Sequence, residues 1–213
     1  MSNVYLELKN ISKVYKNFSI RNVNVSFEGG KCYELKGKNG SGKTTLLNMI
    51  TNFIFPDTGY ILYWGKKLKG NEKWIKNRMA FIPNYVALPT HTTPRFLGTM
   101  YKEIYKRFDM EIFKNYMNKF HINNMDQKLE EMSDGMKKKV LIALELSYFP
   151  EIVIADELCN NLDNEAIKYC FEQFKNLCKE KNGLVIVSSH ENQEILGGTS
   201  ETLTIENGTI KDG

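Results

Sequence analysis

The sequence predicts an α/β fold built around a mostly parallel β-sheet that helices cover on both faces. Two apolar segments, "EIVIAD" at 151–156 and "GLVIVSS" at 183–189, have the composition of strands buried on both faces. A long helical segment at 164–181 joins them, and helical crossovers of this kind connect parallel strands. A further strand, "KCYELKG" at 31–37, runs straight into a glycine-rich loop. Strands that alternate with helices in this order predict the α/β class.

The N-terminal part adds strands of a different kind. The segments at 4–10 and 18–27 alternate as strands do. Helical character follows the glycine loop in "KTTLLNMITNF" at 43–53. A turn and a strand lie within 55–67, and "MAFIP" at 79–83 is a short apolar strand. We therefore expect an N-terminal antiparallel β subdomain beside the parallel core.

The middle of the chain changes to helical patterns. The segments at 95–108 and 110–120 place aromatic and Met residues at three-to-four spacing, which predicts amphipathic helices packed on a core. "ETLTIENGTIKDG" at 201–213 predicts a closing hairpin with "NG" at its turn. We expect one domain over 1–213, with a core formed by 1–83 and 149–213 and a helical subdomain at 84–148.

Composition excludes several classes of protein. With 213 residues, 42% of them hydrophobic and 25% charged, the chain is expected to form one soluble domain with a real core. No apolar run is long enough to span a bilayer, and no secretion-signal pattern is seen, which predicts a cytosolic protein. The net charge of +4 comes from lysines interleaved with acidic residues, so no nucleic-acid partner is expected. The four cysteines form no C-x-x-C pair, which favours reduced thiols.

The stretch "GKNGSGKTT" at 37–45 fits the pattern G-x-x-x-x-G-K-[ST] in full. Glycines let backbone N–H groups close around a phosphate, and the helix that begins near Lys43 directs its positive dipole end at the same oxygens. Lys43 can reach the β- and γ-phosphates, and the Thr44 hydroxyl can ligate Mg²⁺. The predicted nucleotide-binding residues of this loop are Gly37, Asn39, Gly40, Ser41, Gly42, Lys43, Thr44 and Thr45.

An acidic pair supplies the second element that a P-loop enzyme needs. Asp156 ends the apolar strand at 151–156 and would hold Mg²⁺, through a bridging water. Glu157 follows and can orient the attacking water or accept its proton. The two motifs together predict phosphoryl transfer to water.

A second phosphate-binding pattern lies in "MSDGMKKKV" at 132–140. Ser133, Asp134 and Gly135 have the character of a helix start that offers backbone N–H groups to an anion. A chain that already has a P-loop does not need a second grip on its own nucleotide, so this pattern raises the question of whose phosphate it holds.

Along nearly its whole length the chain resembles the nucleotide-binding subunit of an ATP-binding cassette (ABC) transporter. "MSDGM" stands where that family has its LSGGQ-type signature, and no gap separates it from the acidic strand. "NNLD" at 160–163 resembles the family's D-loop, and His190 ends a strand as the family's switch histidine does. Tyr15, in the first hairpin, takes the place of the aromatic residue that stacks on adenine.

The resemblance implies an ABC ATPase with ATP and Mg²⁺ as cofactors and with Lys43, Glu157 and His190 as catalytic residues. It also implies a head-to-tail dimer, of two copies or with a related ATPase, in which Ser133 and Gly135 hold the ATP of the partner subunit. Asp163 of the D-loop belongs to the same composite site. The small size resembles exporter-type ATPases, which implies a place on the inner face of the membrane through a separate integral-membrane permease.

Three departures from the family pattern bear on activity. Asn84 stands where the family usually has Gln near Mg²⁺ and the attacking water, so the resemblance implies that Asn84 contacts the nucleotide and ligates Mg²⁺. Its side chain is shorter by about 1.5 Å, one C–C bond. The replacement of Gln by Asn84 predicts a slow but competent ATPase, unless Asn84 is only a polar loop residue.

The signature and the acidic strand also depart from the family pattern. Asp134 and Met136 replace the usual Gly and Gln, and we expect Asp134 to point outward and cap the helix. Leu158 and Cys159 replace the usual Pro-Thr, a difference that nothing in the sequence explains.

Two rival functions remain open at this stage. A soluble member of the superfamily, such as an ATPase of iron–sulfur assembly, would share the same motifs without a permease. A degenerate module would bind ATP and associate without turnover, and the replacement at Asn84 is the feature that supports it.

Overall fold

The computed structural model describes residues 3–189 and 200–212 and confirms the predicted α/β class. A six-stranded sheet forms the centre, in the order β10-β9-β3-β8-β7-β6. Its strands β3, β6, β7, β8 and β9 are parallel, and β10 pairs antiparallel with β9. The bounds are Cys32–Lys36 for β3, Met79–Ile82 for β6, Ile152–Ala155 for β7, Leu184–Ser189 for β8, Glu201–Glu206 for β9 and Thr209–Asp212 for β10.

A second, antiparallel sheet of four strands packs on one face of this centre. Its order is β2-β1-β4-β5, as the N-terminal pattern predicted. The strands are β1 (Val4–Tyr15), β2 (Phe18–Glu28), β4 (Thr58–Tyr63) and β5 (Lys66–Lys67). Apolar residues of these strands, such as Leu6, Phe27 and Tyr63, join the inward face of the central sheet in one buried cluster.

Six helices are present among the described residues. They are α1 (Lys43–Ile50), α2 (Glu72–Lys76), α3 (Pro94–Ile104), α4 (Met110–Lys119), α5 (Asp134–Leu146) and α6 (Asn164–Lys181), with a 3₁₀ turn at Leu129–Glu131. Helices α3 to α6 supply the buried cluster on the opposite face of the central sheet. The sheet is therefore covered on both faces, which explains why β7 and β8 are apolar and buried at nearly every position.

Local chemistry sets where the helices begin and end. Thr93 caps α3 ahead of Pro94, and Asp109 caps α4 by accepting from two backbone N–H groups. The helix predicted at 43–53 ends earlier, at Ile50, because the Thr51 hydroxyl bonds back to Leu47 O and Asn52 is left-handed with φ 62°. Phe53 is consequently on the surface with 70% exposure.

Register brings the functional motifs to one edge of the sheet. Lys36 of β3 lies beside Ser189 of β8, and Ala155 of β7 lies beside Val187. The glycine loop, the acidic pair and the segment after β6 all follow the carboxyl ends of adjacent parallel strands. These ends form the crevice where ligands bind in open α/β sheets. None of the helices in the described ranges is long and apolar enough to cross a membrane.

Candidate functional site

The glycine loop between β3 and α1 has the shape of a phosphate cradle. Gly40 and Gly42 have φ of 77° and 114°, values that residues with a Cβ rarely adopt. A Cβ added to Gly40 would meet nothing within 4 Å, so the space over the loop is open for a ligand. Helix α1 begins at Lys43, and its first N–H groups face this space without partners within the helix.

Two buried polar groups of the loop have no charged partner among the residues that the structure describes. The Lys43 ammonium is buried and donates to the backbone carbonyls of Gly37 at 2.7 Å and Lys38 at 3.2 Å. The Ser41 hydroxyl is buried and has no hydrogen-bond partner within the described part of the chain. An ammonium held by carbonyls alone, an orphaned hydroxyl and free helix N–H groups together fit a polyphosphate.

An open cleft of about 680 Å³ lies over the loop and is called the P-loop cleft below. It gathers most of the predicted nucleotide-binding residues from three parts of the chain. Its lining residues are Phe18, Asn39, Gly40, Gly42, Lys43, Thr44, Thr45, Asn84, Glu157 and Asn160. Two of these, Phe18 and Asn160, were not among the sequence predictions.

Of the three predicted metal ligands, Thr44 and Asp156 contact each other, and Thr44 lines the cleft. The third, Asn84, also lines the cleft, but its amide contacts Glu157. Thr44 Oγ1 donates to Asp156 Oδ2 at 2.8 Å, and Ser188 Oγ donates to Asp156 Oδ1 at 2.6 Å. Hydroxyl and carboxylate oxygens are ligands that Mg²⁺ prefers, usually one or two from protein with the rest from water and phosphate. Within 3–189 and 200–212, no group of three or more His, Cys, Asp or Glu residues is arranged to hold a metal ion.

The Glu157 carboxylate is held by two amide side chains. Asn84 Nδ2 donates to Glu157 Oε2 at 2.8 Å, and Asn160 Nδ2 donates to the same oxygen at 2.7 Å. Asn160 Nδ2 also lies 3.0 Å from Asn84 Oδ1, so the three side chains form a closed triangle. The Asn84 amide, although one C–C bond shorter than that of Gln, is thus in direct contact with the Glu157 carboxylate.

A buried lysine fixes the backbone under this triangle. Lys138, on α5, donates to Glu157 O and Asn160 O, both at 3.0 Å, and burial lowers the pKa of its ammonium. Glu157 itself is left-handed with φ 46°, a conformation that costs a non-glycine residue energy. The Glu157 N–H donates to Ser188 Oγ at 2.9 Å. Contacts from two neighbouring elements thus hold the strained turn that presents the Glu157 carboxylate.

The signature segment starts α5, but its capping differs from our expectation. Ser133, and not Asp134, is the N-cap residue, and its hydroxyl accepts from Met136 N at 3.2 Å. Asp134 points outward as expected, with 76% of its side chain exposed near Lys137. The prediction that Asp134 caps the helix was wrong because α5 already begins at Asp134, one residue earlier than an Asp134 cap would require.

Gly135 is fixed by its neighbour in the D-loop. A Cβ at Gly135 would lie 2.4 Å from Asn161 O, so no larger residue fits without movement. Neither Ser133 nor Gly135 lines the P-loop cleft. Asp163, further along the D-loop, caps α6 by accepting from Ala166 N, and its ion pair with Lys139 lowers the pKa of its carboxyl.

Two predicted site residues remain, Tyr15 and His190. Tyr15 ends β1, with 43% of the residue exposed, and its ring stacks on Phe18 with 6.4 Å between centroids. Phe18, and not Tyr15, lines the P-loop cleft. His190 lies outside the described residues.

A second cavity, called the aromatic groove below, lies beside the segment that follows β6. It has a volume of about 700 Å³ and is lined by Phe53, Phe81, Tyr85, Leu88, Tyr101, Tyr105, Leu141 and Glu145, among others. Tyr85, the residue after Asn84, is 82% exposed at its edge. Glu145 is buried, accepts from the Tyr101 and Tyr148 hydroxyls and from Phe81 N, and its pKa is raised by burial. The loop at 83–88 therefore connects the P-loop cleft with this groove.

Comparison with known proteins identifies the family. The family model described as "ABC transporter" matches residues 20–160. The chain is 28% identical to the ABC transporter ATP-binding protein YtrB of Bacillus subtilis over 89% of its own length and 65% of that protein. It is 29% identical to the lipoprotein-releasing system ATP-binding protein LolD of Wigglesworthia glossinidia brevipalpis, over 97% of this chain and 96% of LolD. It is also 29% identical to the bacitracin transport ATP-binding protein BcrA of Bacillus licheniformis, over 98% of this chain and 67% of BcrA.

Solved structures agree on the fold. An ATP-binding subunit of an ABC transporter superposes with a TM-score of 0.86 at 23% identity, over 97% of this chain and 88% of that one. The ATP-binding cassette MJ0796, a dimer with ADP and Pi in its post-hydrolysis state, superposes with a TM-score of 0.83 at 22% identity, over 97% and 96%. The chain belongs to the ABC transporter family, and it has the fold of the ATP-binding subunits in these solved structures.

Proposed function

We propose that this protein hydrolyses ATP in a Mg²⁺-dependent reaction and that the energy powers a separate integral-membrane permease. The observation that carries the proposal is the pairing of two contacts in one cleft. Thr44 and Asp156 bring two hard oxygen ligands together, and Asn84 with Asn160 holds the Glu157 carboxylate. A binding module without turnover needs the first contact but has no use for an oriented carboxylate beside it.

Each residue has a role that follows from its position. Bound Mg-ATP would supply the phosphoryl group and the cation that neutralises its charge. Lys43 and the loop N–H groups would bind the β- and γ-phosphate oxygens, and Thr44 with Asp156 would hold Mg²⁺. Glu157 would orient the attacking water or take its proton, with Asn84 nearby and His190 steadying the γ-phosphate side. Catalysis of this type depends on positioning and charge stabilisation.

We propose further that the active form is a head-to-tail dimer, of two copies or with a related subunit. Ser133 and Gly135 lie outside the P-loop cleft of their own chain, so they would complete the cleft of the partner. The N-terminus of α5 would then face the partner's γ-phosphate. In this arrangement ATP binding stabilises the dimer, and hydrolysis removes that stabilisation. Asp163 belongs to the D-loop at the same interface, where it orders α6 by capping it.

The aromatic groove is the proposed docking site for a helix of the permease. Residues 84–148, taken as a helical subdomain, would form one side of it, and the loop at 83–88 would transmit docking to Asn84 and Glu157. In this proposal the protein lies on the inner face of the membrane, attached through its partner. Export is the proposed direction, by similarity to proteins named for lipoprotein release and bacitracin transport.

Steady-state phosphate release tests the core of the proposal. The wild-type chain should release phosphate from ATP only with Mg²⁺ present. Glu157→Gln should slow release by about 10²–10⁴-fold while nucleotide binding stays the same. Light scattering of Glu157→Gln with ATP should detect a dimer that Ser133→Ala weakens. Wild-type activity in Glu157→Gln would refute the assigned role, and absence of turnover in the wild type would favour a binding module.

A further inference from the structure

A cluster of lysines lies beside the aromatic groove, on the segment that carries β5 and α2. Its members are all exposed, and they are Lys66, Lys67, Lys69, Lys73 and Lys76. None of them forms a salt bridge with any residue in the described ranges. The stretch 66–76 contains a single acidic residue, Glu72. This part of the surface therefore carries an uncompensated positive charge, unlike the interleaved charges elsewhere in the chain.

Exposed aromatic side chains accompany these lysines. A cleft of about 570 Å³, called the lysine cleft below, is lined by Phe55, Tyr60, Leu68, Lys67, Lys69, Glu72 and Lys76, among others. Phe55 is 66% exposed and Tyr60 44% exposed, so their rings meet solvent and not the core. Lys67 Nζ lies 4.9 Å from the centre of the Tyr60 ring. Aromatic rings interleaved with lysines are typical of surfaces that lie at a membrane–water boundary.

The position of the lysine cleft is as informative as its composition. Asn52 and Lys76 line both this cleft and the aromatic groove, so the two cavities open side by side on the same part of the molecule. If the groove receives a permease helix, as proposed above, the lysine cleft lies next to the membrane that holds the permease. The position of the lysine cleft next to the membrane rests on the proposed function. The charge and exposure of its residues are independent of that function.

We propose that the lysine cleft binds anionic lipid headgroups. The lysines match the charge of the headgroup phosphates, and the exposed rings of Phe55 and Tyr60 match the apolar boundary just below them. An acidic polypeptide would satisfy the lysines but would leave both rings in water. Contact with lipid would hold the ATPase at a fixed distance from the membrane beside its permease. It would also attach the ATPase at a second place, in addition to the contact between the groove and the permease.

Vesicle binding by the full chain tests this proposal directly. Vesicles of phosphatidylcholine, with and without phosphatidylglycerol, would be sedimented with the protein at several salt concentrations. The patch variant carries Lys67→Gln, Lys69→Gln and Lys73→Gln, which are exposed members of the cluster outside the aromatic groove. The matched control carries Lys168→Gln, Lys179→Gln and Lys181→Gln on α6, which packs on the opposite face of the central sheet. Both variants lose the same charge, so only position separates them.

The expected result is binding to anionic vesicles that falls with salt, about 100-fold weaker in the patch variant and near wild type in the control. Phe55→Ser should also weaken binding. Lys66 Nζ lies 5.6 Å from the centre of the Trp74 ring. The fluorescence of Trp74 should therefore shift when vesicles bind. Equal losses in the two triple variants, equal binding to neutral vesicles, or binding to soluble polyglutamate as tight as to vesicles would overturn the proposal. Phosphate release by the patch variant should match wild type, which separates failure of lipid binding from failure of the ATPase assignment.

Discussion

Asn84 donates its side-chain amide directly to the Glu157 carboxylate, with 2.8 Å between Nδ2 and Oε2. Asn84 follows β6 and Glu157 follows β7, so the contact joins the ends of two neighbouring parallel strands. Tyr85, next in the chain, lies at the edge of the aromatic groove. Asn84 therefore contacts the proposed catalytic carboxylate, and the next residue, Tyr85, lines the proposed docking site of the permease.

Removing the Asn84 amide should slow hydrolysis. We expect Asn84→Ala to lower kcat for phosphate release about 10-fold or more, because the Glu157 carboxylate loses one of its two amide donors. KM for ATP should change little, since Lys43 and the loop N–H groups remain. Asn84→Gln should also change the rate, because the longer amide can approach the metal. Asn123→Ala, at an exposed site away from the cleft, is the control, and unchanged hydrolysis in both Asn84 variants would show that Asn84 has no such role.

The buried ammonium of Lys138 should matter for both stability and turnover. Lys138→Met keeps the length of the side chain but removes one donor from each of the Glu157 and Asn160 carbonyls. The Glu157 carbonyl still accepts from Asn160 N. We expect a loss of about 1–3 kcal/mol in the free energy of unfolding and a lower kcat. Lys137→Met, one residue earlier on the same helix, should have little effect on either. Denaturant unfolding and phosphate release measure the two quantities, and a Lys138→Met protein with normal values for both would contradict this account of the turn.

The signature glycine should tolerate no side chain. Gly135→Ala places a Cβ about 2.4 Å from Asn161 O, so α5 and the D-loop must move apart. We expect the variant to lose ATP-dependent dimerisation and most of its phosphate release while ATP still binds to the P-loop cleft. Asp134→Ala, at the exposed neighbouring position, should keep both activities. A Gly135→Ala protein that dimerises as wild type does would argue against the proposed composite site.

The adenine base should rest on the aromatic pair at the first hairpin. Tyr15→Ala should weaken nucleotide binding about 10-fold or more, since stacking of a base on an aromatic ring contributes roughly 1–3 kcal/mol. Tyr15→Phe should restore affinity. Fluorescence titration with a labelled ATP analogue gives the dissociation constants. A loss of affinity in Phe18→Ala without one in Tyr15→Ala would move the base onto Phe18, the ring that lines the cleft.

Local pattern predicted much of the fold and of the site. The apolar strands at 152–155 and 184–189 and the glycine loop before α1 follow from composition, periodicity and turn chemistry. The contact of Ser188 with Asp156 could also have been inferred, because β7 and β8 are parallel neighbours and both residues lie at their carboxyl ends.

Other features depend on tertiary distances that a linear pattern does not contain. Lys138 belongs to a run of lysines whose pattern predicts a solvated helix face. In the structure its side chain is buried and contacts Asn160 of the D-loop. Asn160 lies three residues after Glu157, and only the left-handed turn at Glu157 brings its amide back to the carboxylate. The cap at Ser133 was missed because Ser and Asp are equally good caps, so sequence alone did not decide between adjacent positions.

Gentle detergent extraction of the tagged chain from its own cells would show whether this ATPase powers a membrane permease. Glu157→Gln with ATP would be used beside wild type, because the trapped dimer should hold its partner longest. We expect an integral-membrane protein to co-purify in stoichiometric amount, and we expect Tyr85→Ala at the groove to reduce its recovery. A purely soluble partner, or none under any nucleotide condition, would refute the role in transport and favour a soluble ATPase of the same family.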